Sequence, residues 1–274
     1  MSEHEIWRVT GSAPEIYERA LVPAIFAAWA PQVVDLANPR LGDRVLDIAC
    51  GTGVVARAAA GRVGSTGTVT GVDLNPGMLA VARSVALSGQ PPRAPIHWRE
   101  GNADKLPFPS NAFDVVYCQL GLQFFPNRLA ALREMHRMLV VEGRLALMVW
   151  GRIQESPGFA TLAVSLERHI GPEAVSFIQV PFSLSNPEEL AALAHTAGFR
   201  DVIVQPQVGM VRFPSIEHFV SNYVAGTPLA GHVSAAGEAA RERLVNDARN
   251  ALGQFVGNGG LAFPITAQLL RARK

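Results

Sequence analysis

Val45-Leu46-Asp47-Ile48-Ala49-Cys50-Gly51-Thr52-Gly53-Val54-Val55-Ala56 is the stretch on which the fold turns. An apolar run ends in an acid, bends through two glycines and enters an alanine-rich segment of helical character. Glycine tolerates positive φ and lets a ligand approach the backbone. Such a bend after a first strand lies at the carboxyl edge of an open α/β sheet, where ligands bind.

Further short apolar runs follow at 68–72, 113–118 and 144–150, separated by helical segments. Runs of this length between helices indicate parallel strands buried on both faces. Asn75-Pro76 offers an N-cap with proline at the first helical position, followed by Met78, Leu79, Ala82 and Ala86 on one face. Pro126-Asn127 predicts a second helix with Gly143 as its stop, and Asn186-Pro187 a third ending near Gly198. The fold class is therefore α/β: a doubly wound, mostly parallel sheet with right-handed crossovers.

The flanks are less regular. Residues 1–40 read as helical, with Tyr17, Leu21, Ile25 and Trp29 near helical spacing and breaks at Pro23 and Pro31. Past Trp150, the pattern predicts one helix over 159–170 and strands at 202–204 and 208–213. A helical insertion at 215–256 and a final strand at 262–272 follow.

Composition narrows the function classes. The 24 basic and 23 acidic residues leave a net charge of +1, without the basic excess of a nucleic-acid-binding surface. Cys50 and Cys118 have no metal-ligand spacing or Cys-x-x-Cys partner, which argues for no metal and a reducing compartment. The first residues lack a signal-peptide pattern, and the longest apolar stretch is about half a membrane span. The expectation is a cytoplasmic protein with neither nucleic acid nor membrane as partner, acting alone or as a homodimer.

Two ligands suit the glycine bend. Gly51-x-Gly53-x-x-Ala56 satisfies the dinucleotide pattern, with Asp73 about 20 residues on as the ribose acid. That reading makes the protein an NAD(P)-dependent oxidoreductase. A dinucleotide brings a pyrophosphate to the bend and the helix N-terminus. Asp47, just ahead of the bend, is an unfavourable neighbour for it in a partly desolvated site. S-adenosyl-L-methionine carries a sulfonium and an α-ammonium instead, so Asp47 becomes complementary.

The segments around these acids resemble a family. Residues 45–53 are similar to the first motif of the class I S-adenosylmethionine-dependent methyltransferases, with Ala49 where many members carry glycine. Thr70-Gly71-Val72-Asp73-Leu74-Asn75-Pro76-Gly77-Met78-Leu79 resembles the second-strand motif, and Glu100-Gly101-Asn102-Ala103-Asp104 the adenine-binding turn. Residues 113–123 resemble the fourth strand with its exit, and 141–145 the turn into the fifth. The likeness covers about residues 41–150 and is strongest to the quinone-biosynthesis C-methyltransferases.

The resemblance implies a Rossmann-like sheet with a helical lid at 1–40 and a methyltransferase domain at 41–274. Within that domain, 41–150 form the cofactor-binding core and 215–256 the helical insertion. It implies that Asp47, Ala49, Gly51 and Gly53 line the methionine half of the cofactor and that Asp73 holds the ribose. Leu74 and Met78 would flank the adenine. Asn102, where the family usually has aspartate, would accept from the adenine amino group, and Ala103 would offer its backbone N–H. Gln119 would meet the cofactor's amino group, and Tyr17 would reach its carboxylate or pack in the core.

Three regions compete for the methyl acceptor: the N-terminal segment with Trp7, Tyr17, Phe26 and Trp29, the fourth-strand exit with Gln123, Phe124 and Phe125, and the insertion with His218, Asn222, Tyr223 and His232. The implied reaction is in-line displacement onto a small-molecule acceptor, leaving S-adenosyl-L-homocysteine. Positioning is its main requirement. Where a base is needed, His218 and His232 are the candidates, with Gln123 as a further catalytic candidate. A non-catalytic S-adenosylmethionine-binding module stays open beside the enzyme.

Overall fold

The computed structural model describes residues 11–88 and 94–274, so Trp7 and the start of the expected lid lie outside the described residues. Strands β1 (Arg44–Ile48), β2 (Thr68–Asp73), β3 (Ile96–Glu100), β4 (Phe113–Gln119) and β5 (Leu139–Trp150) run parallel. Strand β6 (Arg200–Phe213), the short β7 (Val256–Gly257) and β8 (Gly260–Arg273) complete one sheet. Its order is β3-β2-β1-β4-β5-β8-β6, with β8 antiparallel to both neighbours and β7 paired to β8. The order reverses between β1 and β4, the place where open α/β sheets lodge ligands.

Side-chain alternation divides the strands between two buried layers. Val45, Val115, Tyr117, Ala146 and Met148 face one layer, and Leu46, Ile48, Val116, Cys118, Leu145 and Leu147 face the other. Both layers are covered by helices, as the unbroken apolar runs require. On the first, α2 (Ala30–Leu36), α3 (Val54–Val63) and α6 (Pro157–His169) contribute Val33, Ala59 and Leu166. On the second, α5 (Arg128–Met138) and α8 (Pro187–Thr196) contribute Leu132, Met135 and Leu190.

The cap residues act as expected. Asn75 Oδ1 accepts from Gly77 N–H at 2.9 Å ahead of α4 (Pro76–Ser88), and Asn127 Oδ1 from Ala130 N–H at 2.9 Å ahead of α5. Asn186 Oδ1 accepts from Glu188 N–H at 2.8 Å and opens α8. The insertion holds α9 (Ile216–Ala225), α10 (Leu229–Ala236) and α11 (Glu238–Leu252), the last packed on α6.

Four local expectations are corrected. Gly143 does not stop α5: the helix ends at Met138, and Gly143 lies within β5 beside Glu142, whose φ is +63°. The strands expected at 202–204 and 208–213 are one, because β6 is an edge strand and accepts Pro206 without losing its pairing to β8. Between Pro157 and Gln179 there are two helices, α6 and α7 (Pro172–Gln179). Nor does Pro23 break the N-terminal helix. After α1 (Ala13–Ile16), residues Tyr17–Phe26 form a π-helix that contains it, closed by a 2.7 Å bond from Ala27 N–H to the Val22 carbonyl. The wider i→i+5 turn accommodates a residue that an α-turn would reject.

Candidate functional site

The bend after β1 is built on positive φ. Ala49, Gly51 and Gly53 have φ of +55°, +54° and +86°. For the alanine this costs roughly 1–2 kcal/mol. Leu120, at the exit of β4, has φ of +58°. Ala49 and Leu120 both line the same cavity, in keeping with the tendency of backbone strain to gather at functional sites.

That cavity, about 260 Å³, opens at the carboxyl ends of the five parallel strands. Of the residues singled out in the sequence, Tyr17, Ala49, Gly51, Asp73, Leu74, Met78, Asn102, Ala103, Gln119 and Gln123 all line it. Asp47 lines a smaller adjoining chamber of about 30 Å³, which shares Tyr17, Ala49, Gly51 and Gln119 with the first. Gly53 lines neither. A Cβ there would lie 2.2 Å from Trp98 Cη2, so its glycine serves the seating of α3 against β3.

The acids are tied into the bend. Asp47 Oδ2 accepts from Ala56 N–H at 2.9 Å, satisfying a free donor in the first turn of α3, whose N-cap Gly53 has no side chain to do so. Burial pushes the Asp47 carboxyl up to about 8, against the pull of the Ala56 N–H bond. Asp73 Oδ2 accepts from Gly51 N–H at 2.7 Å and Oδ1 from Asn75 N–H at 2.8 Å. Burial raises the Asp73 carboxyl too, and these backbone bonds oppose the rise. Each carboxylate oxygen keeps a further acceptor position.

Other polar groups are partly engaged. Asn102 Oδ1 already accepts from Asp104 N–H at 3.0 Å, leaving its second lone pair and its amide N–H groups. Gln119 Nε2 donates to the Phe26 carbonyl at 3.3 Å, while its Oε1 is buried without a partner. Tyr17 stacks on Phe26 with ring centroids 5.0 Å apart, and its phenol is raised far above its ordinary value by burial and by Asp73. Tyr17 packs against Phe26, as one of its two expected roles required, and it also lines the cavity.

The two histidines do not reach the cavity. His218 is exposed on α9 beside Ser215 Oγ, because Phe219, Val220 and Tyr223 take the inward face. His232 packs its ring 5.2 Å from that of Phe177. What the insertion supplies instead is Tyr223, with Thr227 and Pro228. Trp150, Phe159, Phe177 and Phe182 also line the cavity and were not singled out in the sequence. Phe159 on α6, Phe177 on α7 and Phe182 in the 3-10 turn that follows (Val180–Phe182) are spaced like ordinary core residues, and only Trp150, at a strand's carboxyl end, carried a positional signal.

The family described as "Methyltransferase domain" matches residues 46–147. The ubiquinone/menaquinone biosynthesis C-methyltransferase UbiE of Xylella fastidiosa is 34% identical over 186 residues, which is 64% of this chain and 73% of that protein. The chain belongs to the class I S-adenosylmethionine-dependent methyltransferases. The UbiE protein of Xanthomonas campestris is 40% identical over 129 residues, 47% of this chain and 51% of that protein, so the chain spans about half its length. Phosphoethanolamine N-methyltransferase 2 of Haemonchus contortus shares the fold, with a TM-score of 0.64 at 20% identity over 100% of this chain and 60% of that one. Membership in this methyltransferase family removes the dinucleotide reading of Gly51-x-Gly53-x-x-Ala56, and the position of Gly53 behind Trp98 agrees with that outcome.

Proposed function

We propose that the protein transfers the methyl group of S-adenosyl-L-methionine to a small organic acceptor by in-line displacement. One observation carries the reading: a cavity end that presents the acceptor oxygens of Asp73 and Gln119, and no cationic side chain among the described residues, opens into a chamber walled by aromatic rings. Asp73 and Gln119 Oε1 suit ribose hydroxyls and oppose a diphosphate, and Asp47, in the adjoining chamber, suits an ammonium that draws off its proton. The solved relative from Haemonchus contortus is a complex with S-adenosyl-L-methionine, which supports the same ligand here.

When bound, S-adenosyl-L-methionine supplies a methyl group already activated on a sulfonium. Asp73 would hold the ribose, Leu74 and Met78 the faces of the adenine, and Asn102 with Ala103 its edge. Gln119, Asp47 and Tyr17 would surround the methionine end, with the Ala49 and Gly51 backbone beneath it. The π-helix Tyr17–Phe26 closes over the site as a lid, contributing Leu21, Ile25 and Phe26 to the wall. The remaining task is to hold acceptor and methyl collinear at roughly 3 Å in a dry chamber, and such positioning supplies ~7–11 kcal/mol. Tyr17 and Tyr223 are both raised far above neutrality by burial, so neither phenol takes up a proton as a base near pH 7. The chain orients the acceptor and excludes water during the transfer, and a proton carried by the attacked atom passes to solvent when the methylated product leaves the chamber.

A cytoplasmic location belongs to this reading. Cys50 and Cys118 are buried free thiols, and among the described residues no helix is long and apolar enough to cross a membrane. Calorimetry tests the ligand. Micromolar binding of S-adenosyl-L-homocysteine, with none of NAD or NADP, is expected, and the reverse pattern overturns the proposal. Transfer of label from methyl-labelled S-adenosyl-L-methionine to a small-molecule library separates an enzyme from a binding module.

A further inference from the structure

Rings organise the acceptor chamber. Tyr17, Phe26, Trp150 and Phe182 form a near-parallel ladder, with centroids 5.0, 6.4 and 6.4 Å apart and interplanar angles of 19°, 27° and 25°. Phe159 and Tyr223 close the chamber, their rings 5.1 Å apart. Among the described residues that line the cavity, Asp73 is the one carboxylate, and no lysine, arginine or histidine lines it. An anion placed here would find no countercharge and would face the Asp73 carboxylate, at a desolvation cost that the rings do not repay.

Gln123 stands out against this wall. It follows β4 on a short 3-10 turn (Leu122–Phe124), is 3% exposed and lines the cavity, and neither its Oε1 nor its Nε2 has a hydrogen-bond partner among the described residues. A buried amide with both ends unpaired destabilises a protein, because it has given up its hydrogen bonds to water without replacing them. Among the described residues no contact compensates for it, and a ligand entering the chamber would.

We propose that Gln123 is a specificity-determining residue for the methyl acceptor: its carboxamide pairs with a polar rim atom of an uncharged planar ring that slides along the aromatic ladder. The inference rests on the methyl-transfer reading. It adds the residue that fixes the acceptor's orientation and the class that is refused, namely acceptors bearing a carboxylate or phosphate.

The test uses three probes on the full chain saturated with S-adenosyl-L-homocysteine: 2-naphthol, naphthalene and 2-naphthoate, followed by calorimetry or by tryptophan fluorescence. The expected order is 2-naphthol tightest, naphthalene about tenfold weaker and naphthoate weaker still. In Gln123→Leu the preference for 2-naphthol over naphthalene should shrink to about twofold. The Tm of the ligand-free variant should rise, because an unpaired buried amide is gone. A structural glutamine would instead lower it.

Four results overturn the proposal: no 2-naphthol binding up to millimolar concentration, wild-type 2-naphthol affinity in Gln123→Leu, naphthoate binding as tightly as 2-naphthol, or a Tm that falls. Measuring S-adenosyl-L-homocysteine binding to the unaltered protein first separates the two claims. If it fails, the cofactor reading is refuted and this inference with it. If it binds and Gln123→Leu keeps the 2-naphthol preference, only the role of Gln123 is refuted.

Discussion

Asp73, the last residue of β2, accepts a 2.7 Å hydrogen bond from the backbone N–H of Gly51 in the bend after β1. The acid assigned to the ribose therefore also pins the glycine bend. Asp73→Ala removes both the fastening and the acceptor for two hydroxyls. Affinity for S-adenosyl-L-homocysteine should fall by roughly 100-fold, the scale of two unpaired hydroxyls. Unchanged affinity in calorimetry would refute the ribose assignment.

Asp47 makes stability depend on pH. Burial holds its carboxyl near 8 in the folded chain, whereas an unfolded aspartate releases its proton near ~3.9. Between those values the folded state binds the extra proton, so this residue makes stability fall as pH rises from about 4 to about 8. Denaturant titrations across that window should show the decline in the ligand-free protein and a flatter profile in Asp47→Asn. A cation bound beside Asp47 draws the proton off, so S-adenosyl-L-methionine affinity should increase up to about pH 8 and level above it.

Gly53→Ala sets a methyl group against Trp98 at a backbone φ of +86°. Overpacking and left-handed strain together should cost about 2–4 kcal/mol. Urea unfolding measures the loss. Adding Trp98→Leu to Gly53→Ala should recover the overpacking part and leave the strain, a non-additivity that a double-mutant cycle reads directly.

Ala49→Gly should act in the opposite direction. Relief of left-handed strain at Ala49 outweighs the added chain entropy of glycine, for a gain of up to about 1 kcal/mol by the same unfolding assay. A clear loss of stability would show that the Ala49 methyl group contributes packing that exceeds its strain.

Much of this was legible because the cofactor end is local in sequence. Asp47, Gly51, Asp73 and Asn102 each sit at the end of their own strand or just beyond it, and a strand end is marked by an apolar run meeting a turn. The acceptor chamber is not local. Phe26, Trp150, Phe159, Phe182 and Tyr223 come from five separate segments; Phe26 and Tyr223 stood among the acceptor candidates, but Trp150, Phe159 and Phe182 read as ordinary core until the fold brings them together. The missed α7 did carry a signal, Gly171 followed by Pro172 at the helix start. Pro206 misled for a physical reason: a proline forbidden in a central strand is tolerated on an outer one, and no sequence pattern shows which strand ends up outermost.

Pro206 has a consequence for how copies of this chain can meet. β6 is long, outermost in the sheet, and carries the exposed apolar residues Val208 and Met210. Such a rim invites a neighbouring chain to continue the sheet by backbone pairing. A proline near the middle of β6 deletes a donor from that row and puts a ring in its place, so a foreign strand could not zip along its full length. This rim is thereby guarded against fibre-like growth along its whole length.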